Sequence, residues 1–315
     1  MISLEPITED MFDEIWASIL DDGDPYLRRD DWQVLFTGRP SAPGRVPGYA
    51  LVDKERIGGI LGTFHSTRSV RDRPVRFCNL HSWSVREAYR GRSLLLMRPV
   101  LRDLACTLTD FTPTEPVTVI CKRLGFRPLD SSLRILPPLA RSGQQPQQSG
   151  PDLVTDLDEI RGRLGVRELA LLEDHSRDNF GHLLVVGKDQ ICYVIYTVVN
   201  RHLGRYAHIH YISDKDLFRR AHASIRAHIL RKEQAHYIAT DDRLTAEMNL
   251  PFSFRMPVRT PQLFRSITVE PSEIDNLYSE ISLLSLAALP SVGPTLRHFG
   301  RRVINPRFWR ASPGP

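Results

Sequence analysis

The feature that most constrains the fold is a strand-turn-strand pattern that occurs twice in the chain. Residues 49–64 (YALVDKERIGGILGTF) and residues 183–198 (LLVVGKDQICYVIYTV) align without a gap, with Val, Lys, Ile and Thr at shared positions. Apolar residues flank a short polar turn in both segments, which predicts one β-hairpin in each half of the chain. The spacing of the repeat is that of a whole domain, so we interpret the chain as a duplicated α/β domain of about 130–150 residues per copy.

The domain limits follow from composition along the chain. A stretch rich in Pro, Gln, Ser and Gly separates the two copies, as expected of a linker. The length of 315 residues also favours two domains. We therefore divide the chain into an N-terminal domain (1–138), a linker or exposed loop (139–152), a second domain (153–270), and a C-terminal helix and tail (271–315).

Composition narrows the class of protein. Hydrophobic residues make up 41% of the chain and charged residues 25%, and no apolar run is long enough for a membrane span. The first residues carry Asp and Glu instead of the basic start of a secretory signal, so we expect a cytoplasmic protein. The four cysteines have neither CxxC pairing nor metal-ligand spacing, which predicts reduced thiols.

The formal net charge of +5 arises from the C-terminal tail. Its arginines are Arg297, Arg301, Arg302, Arg307 and Arg310. The remaining chain is neutral, unlike the spread basic surface of a DNA-binding domain, so we predict no nucleic-acid partner. We expect the tail, which also contains aromatic residues, to dock on its own protein or to be disordered.

Residues 84–96 (SVREAYRGRSLLL) end a predicted strand and lead into residues with helical character. A strand that enters a helix through a glycine-containing turn presents free backbone N–H groups and the positive end of the helix, which favour a phosphate. Arg90, Gly91, Arg92 and Ser93 lie at this junction. The turn is therefore either a pyrophosphate site or a solvated Arg-rich turn.

A second motif lies in residues 111–126 (FTPTEPVTVICKRLGF). Thr112 as N-cap, Pro113 at the first helical position and Glu115 three residues after the cap predict a helix start. Gly125 predicts the helix end, because glycine readily adopts the left-handed cap conformation.

The order of elements in residues 1–138 resembles the GNAT superfamily of acyl-CoA N-acyltransferases. Val85 precedes Arg90 by five residues, as in the phosphate-binding motif of that family, and Leu124-Gly125-Phe126 matches the end of its following helix. The resemblance implies an α/β (α+β) fold of two tandem GNAT-like domains. Each domain is expected to contain a mixed, mostly antiparallel twisted sheet flanked by helices.

By this resemblance the protein transfers an acyl group, in the simplest case acetyl, from acyl-CoA or acetyl-CoA to an amine of a small molecule or sugar, without a metal. The residues carried over to the donor site are Trp83, Val85, Arg90, Gly91, Arg92 and Ser93. Strand alternation places Asn79, His81, Trp83 and Val85 on one face. Asn79, where some members carry a carboxylate, is assigned to the substrate site, His81 is predicted as general base, and Cys121, in place of a family Tyr, as general acid.

A purely structural role stays open for three of these residues. His81 is then a histidine of the core, Cys121 a buried thiol, and Trp83 an indole packed in the core. Ser93 and Leu95 also occupy positions where the family motif has small residues. Side chains there crowd a phosphate. Two alternatives therefore remain. The protein is either a non-catalytic GNAT-like protein that binds a ligand or partner, or an acyltransferase whose donor is an acyl carrier protein.

The second copy has diverged further. Its counterpart of the turn is Arg219-Arg220-Ala221-His222, which has no glycine, so we expect it not to bind CoA. His208 and His210 share a strand face but lack a third ligand, and we predict no metal site. Residues 271–289 are predicted as a helix whose leucines pack on the second domain or form a homodimer contact.

Overall fold

The computed structural model describes residues 2–20, 27–37, 45–54, 56–129, 131–139, 151–201 and 204–289. Most of the predicted linker (140–150) and the tail (290–315) lie outside these ranges. The strands are β1 (Ile2–Pro6), β2 (Gly48–Asp53), β3 (Arg56–Val70), β4 (Arg73–Val85), β5 (Thr107–Asp110), β6 (Arg127–Leu129), β7 (Ser132–Leu136), β8 (Asp152–Val154), β9 (Phe180–Val186), β10 (Ile191–Arg201), β11 (Gly204–Ile212), β12 (Tyr237–Asp241), β13 (Phe254–Pro257) and β14 (Gln262–Arg265). The α-helices are α1 (Phe12–Ile15), α2 (Arg29–Thr37), α3 (Arg98–Arg102), α4 (Glu115–Arg123), α5 (Leu157–Arg163), α6 (Val166–Asp174), α7 (Lys215–Lys232), α8 (Asp242–Thr245) and α9 (Glu280–Leu283). Segments of 3-10 helix are Glu9–Met11, Glu87–Met97 and Pro271–Glu273, and Trp16–Leu20 is π-helical.

The strands form two sheets of the same design. The first has the order β1-β2-β3-β4-β5-β14-β6 and the second, read from the corresponding edge, β8-β9-β10-β11-β12-β7-β13. In each sheet one pair is parallel, β4 with β5 and β11 with β12, and the others are antiparallel. The repeated hairpins are β2-β3 and β9-β10. The predicted fold class of two mixed, mostly antiparallel sheets flanked by helices is confirmed.

The two halves exchange one strand each. β7, which we placed in the N-terminal segment, pairs with β12 and β13 of the second sheet. β14, from the second segment, pairs with β5 and β6 of the first sheet. Sheet membership therefore differs from the predicted segment limits at these strands, because the inserted strand of each sheet comes from the other half.

An apolar cluster joins the halves. It contains Phe12 and Phe64 from the first half together with Leu184 and Tyr193 from the second, all buried. The C-terminal segment, residues 270–285, lies on both halves and is largely buried.

The prediction of a single helix over residues 271–289 is wrong. Asp275 forms an ion pair with Arg68, and the Asn276 side chain bonds His210, so these residues face partners that a continuous helix would not reach. The Ser279 hydroxyl then caps α9 by accepting a bond from the Ile281 amide. Short polar side chains that bond outside a helix favour breaks of this kind.

Helix α4 starts two residues later than predicted. Its N-cap is Thr114, and Pro116 lies in the first turn. Thr112 does not cap the helix because its hydroxyl bonds Glu280. The predicted end is confirmed, since α4 stops at Arg123 and Gly125 has a φ of 87°.

Candidate active site

A β-bulge interrupts β4. His81 pairs with Gly62 and Ser84 with Ile60, so two residues of β4 lie opposite one residue of β3. Ser82 within the bulge has a φ of 51°. A bulge of this kind reverses the alternation of side chains beyond it. Trp83 consequently packs with the core of Cys78 and Leu80, on the face opposite His81, and the prediction of one shared face is wrong for Trp83 and Val85.

His81 is enclosed between β3 and α2. Its ring lies directly over Gly62, at 2.1 Å from where a Cβ would be, and meets the Phe36 ring edge-on with centroids 5.3 Å apart. Nδ1 lies 3.0 Å from the Ser82 hydroxyl. Burial lowers the pKa of His81 to about 3. The ring is therefore neutral and a weak base, and its catalytic role stays a prediction.

The Arg-Gly turn forms a long 3-10 helix, Glu87–Met97. In such a helix backbone N–H groups bond the carbonyls three residues back, so they are directed along the chain instead of toward a ligand. Tyr89 holds the segment on β3, with its ring over Gly58. Arg90, Gly91 and Arg92 are exposed and Ser93 is half-buried. The turn thus offers surface cations, while the amides within the 3-10 helix bond along the chain, and the predicted helix here is 3-10 as far as Met97.

The parallel strands β4 and β5 pair only from Phe77 with Thr107 to Leu80 with Asp110. Beyond Leu80, no described strand pairs with β4 on this side. The parting of the two strands leaves backbone groups of β4 available to an extended ligand.

Two buried carboxyl groups lie where the strands part. Asp110 ends β5, and Glu280 is the first residue of α9 in the C-terminal segment; they are 5% and 3% exposed. The Thr112 hydroxyl donates to Glu280 Oε1 at 2.7 Å, while Oε2 has no hydrogen-bond partner among the described residues. Burial raises the pKa of Glu280 to about 7, and the hydrogen bond from Thr112 and, to a smaller extent, the nearby Asn79 amide oppose this shift.

The pKa of Asp110 is raised well above its usual value by burial and by the charge of Glu280. The charge of Glu280 thus disfavours ionisation of Asp110. Near neutral pH Glu280 therefore exchanges a proton, which is the behaviour of a proton-transfer site.

Asn79 and Cys121 border this pair. Asn79, on β4, donates from Nδ2 to the Thr109 hydroxyl at 3.3 Å, and its Oδ1 has no partner among the described residues. Cys121 is fully buried, and burial together with Asp110 raises the pKa of its thiol to about 12. The predicted site residues Asn79 and Cys121 thus both lie beside the buried carboxyl pair. Their predicted roles in substrate binding and acid catalysis stay predictions.

A cavity of about 310 Å³ opens beside Thr112. Its walls are mostly apolar and include Trp32, Phe111, Pro113 and Ile281, with Arg259 at an exposed position. A larger cavity of about 590 Å³ is more polar and borders Asp31, Arg177 and Asn179, but not Thr112. Of these two cavities, the smaller one borders Thr112, the residue that is hydrogen-bonded to Glu280.

Among the residues that the structure describes, the second half has no comparable site. In α7 the Asp214 side chain accepts from the Leu217 amide at 2.7 Å, so a carboxylate already occupies the position an anion would need. His208 and His210 are both fully buried. His210 bonds Thr197 and Asn276. Among the described residues no group of three or more His, Cys, Asp or Glu side chains is arranged to hold a metal ion.

Sequence reasoning missed Glu280. It is separated from Thr112 by 168 positions, and it lies in a segment predicted as an ordinary leucine-rich helix. The one local signal was an acidic residue among apolar ones, which a helix normally exposes. Sequence reasoning did not assign Asp110 to the site either, although it is the last residue of the central strand β5.

Solved structures share this architecture. A GCN5-related N-acetyltransferase from Anabaena variabilis superposes with a TM-score of 0.57 at 13% identity, over 84% of this chain and 72% of that one. A probable N-acyltransferase from Enterococcus faecalis gives 0.57 at 12%, over 86% and 74%. A GCN5-related N-acetyltransferase from Kribbella flavida gives 0.54 at 17%, over 85% and 71%.

No protein-family profile matches the chain, and no curated protein matches it. None of the described helices has the length and apolar character needed to cross a membrane. The structural matches extend over both halves, and each half has the strand order described above. The chain therefore has the fold of the GCN5-related N-acetyltransferases, the GNAT superfamily, in a tandem arrangement.

Proposed function

We propose that this protein is an acyltransferase that moves an acyl group from a thioester donor to an amine of a small molecule. The observation that carries the proposal is the buried Asp110–Glu280 pair at the point where β4 and β5 part. A fold of this superfamily supplies the scaffold, and the pair supplies a group whose proton affinity suits transfer near neutral pH.

Glu280 acts as the general base through Thr112. The Thr112 side chain borders the cavity and donates to Glu280, so an amine in the cavity can pass a proton to the hydroxyl while the hydroxyl passes its own to the carboxylate. The free amine then attacks the thioester carbonyl, a C–N bond forms, and the C–S bond breaks. The attacking nitrogen then gives up a proton, which passes through water to the leaving thiolate, so that an amide and a free thiol are formed. Glu280 releases the proton it accepted to solvent before the next turnover. Glu280 suits this task better than His81, whose pKa lies far below neutrality.

The donor carries its thioester on an extended arm that lies along the unpaired part of β4. Backbone N–H groups there are available to stabilise the oxyanion. The fit to the pyrophosphate of CoA is poor, because Arg90, Gly91, Arg92 and Ser93 lie inside the 3-10 helix, where backbone amides bond along the chain. Arg86, Arg90 and Arg92 are exposed beside this arm site. They favour an acidic acyl carrier protein as donor, with acyl-CoA as the alternative.

The test is acyl transfer by the full chain with acetyl-CoA, longer acyl-CoAs and acylated carrier proteins, followed by release of the free thiol. Glu280→Gln is expected to lower kcat by about 10²–10⁴-fold, the usual worth of a general base. The wild-type rate is expected to rise with pH through about 7, since only ionised Glu280 accepts a proton. Glu173→Gln, on an exposed face of α6, is the matched control and should keep full activity.

Two results distinguish a carrier-protein donor, an acyl-CoA donor and a non-catalytic protein. Turnover with an acylated carrier protein but not with acyl-CoA would identify the carrier protein as the donor. No binding and no thiol release with any donor means that the protein is a non-catalytic member of the fold, which rejects the proposal.

A further inference from the structure

The cavity beside Thr112 combines apolar walls with unpartnered hydrogen-bond donors. The indole N–H of Trp32 is buried and has no hydrogen-bond partner among the described residues. Arg259 is exposed, and the ion pairs of the described arginines near it in sequence, Arg243 with Asp241 and Arg255 with Asp242, do not include it. Both residues line the cavity, and none of the described residues that line it is acidic.

These donors specify the charge of the ligand. An indole N–H and a guanidinium are donor-only groups, so the group that satisfies them must accept hydrogen bonds. Guanidinium binds planar carboxylates in two-point geometry, and such charge-assisted bonds are stronger than neutral ones. A carboxylate on the ligand would pair the Arg259 charge and give the buried Trp32 N–H an acceptor.

The other wall residues determine the polarity and size of the part of the ligand that does not carry the carboxylate. Phe111, Pro113 and Ile281 are apolar, and the volume of about 310 Å³ is at the small end for ligand sites. Thr112 is the wall residue that contacts the buried carboxylate pair. A group that exchanges protons, such as an amine, is best placed there.

We propose that this cavity binds the acyl acceptor and that the acceptor is an amine with an apolar skeleton and a carboxylate, the carboxylate being held by Arg259 and Trp32. The site and its charge preference stand on the cavity alone. The identification of the ligand as acyl acceptor rests on the proposed function.

Binding is measured by isothermal titration calorimetry on the full chain without any donor. The probes are L-phenylalanine and phenethylamine, which differ only in the carboxylate. L-Phenylalanine is expected to bind about tenfold more tightly, in keeping with one charge-assisted hydrogen-bonded pair. Arg259→Gln should remove that difference and leave phenethylamine within about twofold, while Arg259→Lys should restore part of it. Arg161→Gln, which removes an exposed charge of the second half, is the control and should change neither affinity.

Equal affinity for the two probes, no saturable binding of L-phenylalanine, or an unchanged affinity in Arg259→Gln would each overturn the inference. Its failure is separable from failure of the proposed function. If Glu280→Gln and wild type both bind L-phenylalanine but neither transfers an acyl group from any donor, the site stands and the reaction is wrong. If amines are acylated with no preference for a carboxylate, the reaction stands and the acceptor class is wrong.

Discussion

At the scale of single residues, ionisation of the buried Glu280 carboxyl group costs free energy in the folded protein. Within the described part of the chain the carboxyl group forms no ion pair, and a hydroxyl, that of Thr112, donates a hydrogen bond to it. Burial without a cation favours the protonated acid, so the folded chain holds a proton that the unfolded chain releases more easily. The free energy of unfolding must therefore depend on pH through this group.

We predict that Glu280→Gln abolishes part of that dependence. The pKa of Glu280 is raised from 4.5 to about 7 in the folded state. Its stabilising effect is thus full below about pH 4.5 and is lost as pH rises to about 7, a loss of about 3 kcal/mol. Relative to the glutamine variant, wild type should lose about 2–3 kcal/mol of unfolding free energy between pH 5 and pH 8 in urea titrations.

The difference between the two proteins is the informative quantity. His81, with its pKa lowered by burial, acts in the opposite sense, since its contribution is present above about pH 6.5 and lost as pH falls. That contribution is common to both proteins and cancels. A difference that does not change with pH would show that Glu280 is ionised or solvated in the folded protein.

At the scale of elements, β4 depends on glycine in its neighbour. The His81 ring occupies the space above Gly62, where a Cβ would lie 2.1 to 2.6 Å from ring atoms. Gly91, by contrast, has open space around it. Gly62 therefore leaves space for the His81 ring, whereas a side chain at Gly91 would meet no neighbouring atom.

We predict that Gly62→Ala destabilises the chain by about 1–3 kcal/mol, because the His81 ring must move within a packed core. Gly91→Ala, the matched variant, should stay within about 0.5 kcal/mol of wild type. Thermal unfolding followed by circular dichroism measures both. Equal stability of the two variants would mean that β4 adjusts freely at its bulge.

Elements set by local sequence could be predicted, and those set by distant contacts could not. The two hairpins follow from alternation around polar turns, and Gly125 ends α4 as expected. The bulge at Ser82 contains no glycine that would have predicted it. It places Trp83 on the opposite face of β4 from the one that strand alternation predicts. Thr112 has every local mark of an N-cap, yet its hydroxyl serves Glu280, because a buried carboxylate competes successfully for it.

At the scale of the whole molecule, the exchanged strands tie the two halves together. Leu263 of β14 is fully buried in the core of the first half, and Leu136 of β7 in that of the second. Glu280 also connects distant parts of the chain. It comes from the last described segment and is hydrogen-bonded to Thr112, which follows β5 of the first sheet. Sequence predicts the repeat but not this exchange, because the two copies offer equivalent places for the inserted strand.

We predict that Leu263→Ala lowers the free energy of unfolding by about 2–5 kcal/mol and that both halves still unfold in one transition. Calorimetry and urea unfolding followed by two probes should coincide. Leu94→Ala, at a residue 52% exposed, is the control and should have little effect. Two separated transitions, with only the first shifted, would show that the halves are energetically independent.

The exchange also has a consequence for biosynthesis. A nascent chain that has just left the ribosome through residue 138 carries six strands of the first sheet and still lacks β14, which is made more than a hundred residues later. In the meantime β5 and β6 have no strand between them, and β7 awaits partners not yet synthesised. Exposed strand edges of this kind favour pairing with other chains. Translation of the second half, rather than the first, therefore sets when the first half can finish folding.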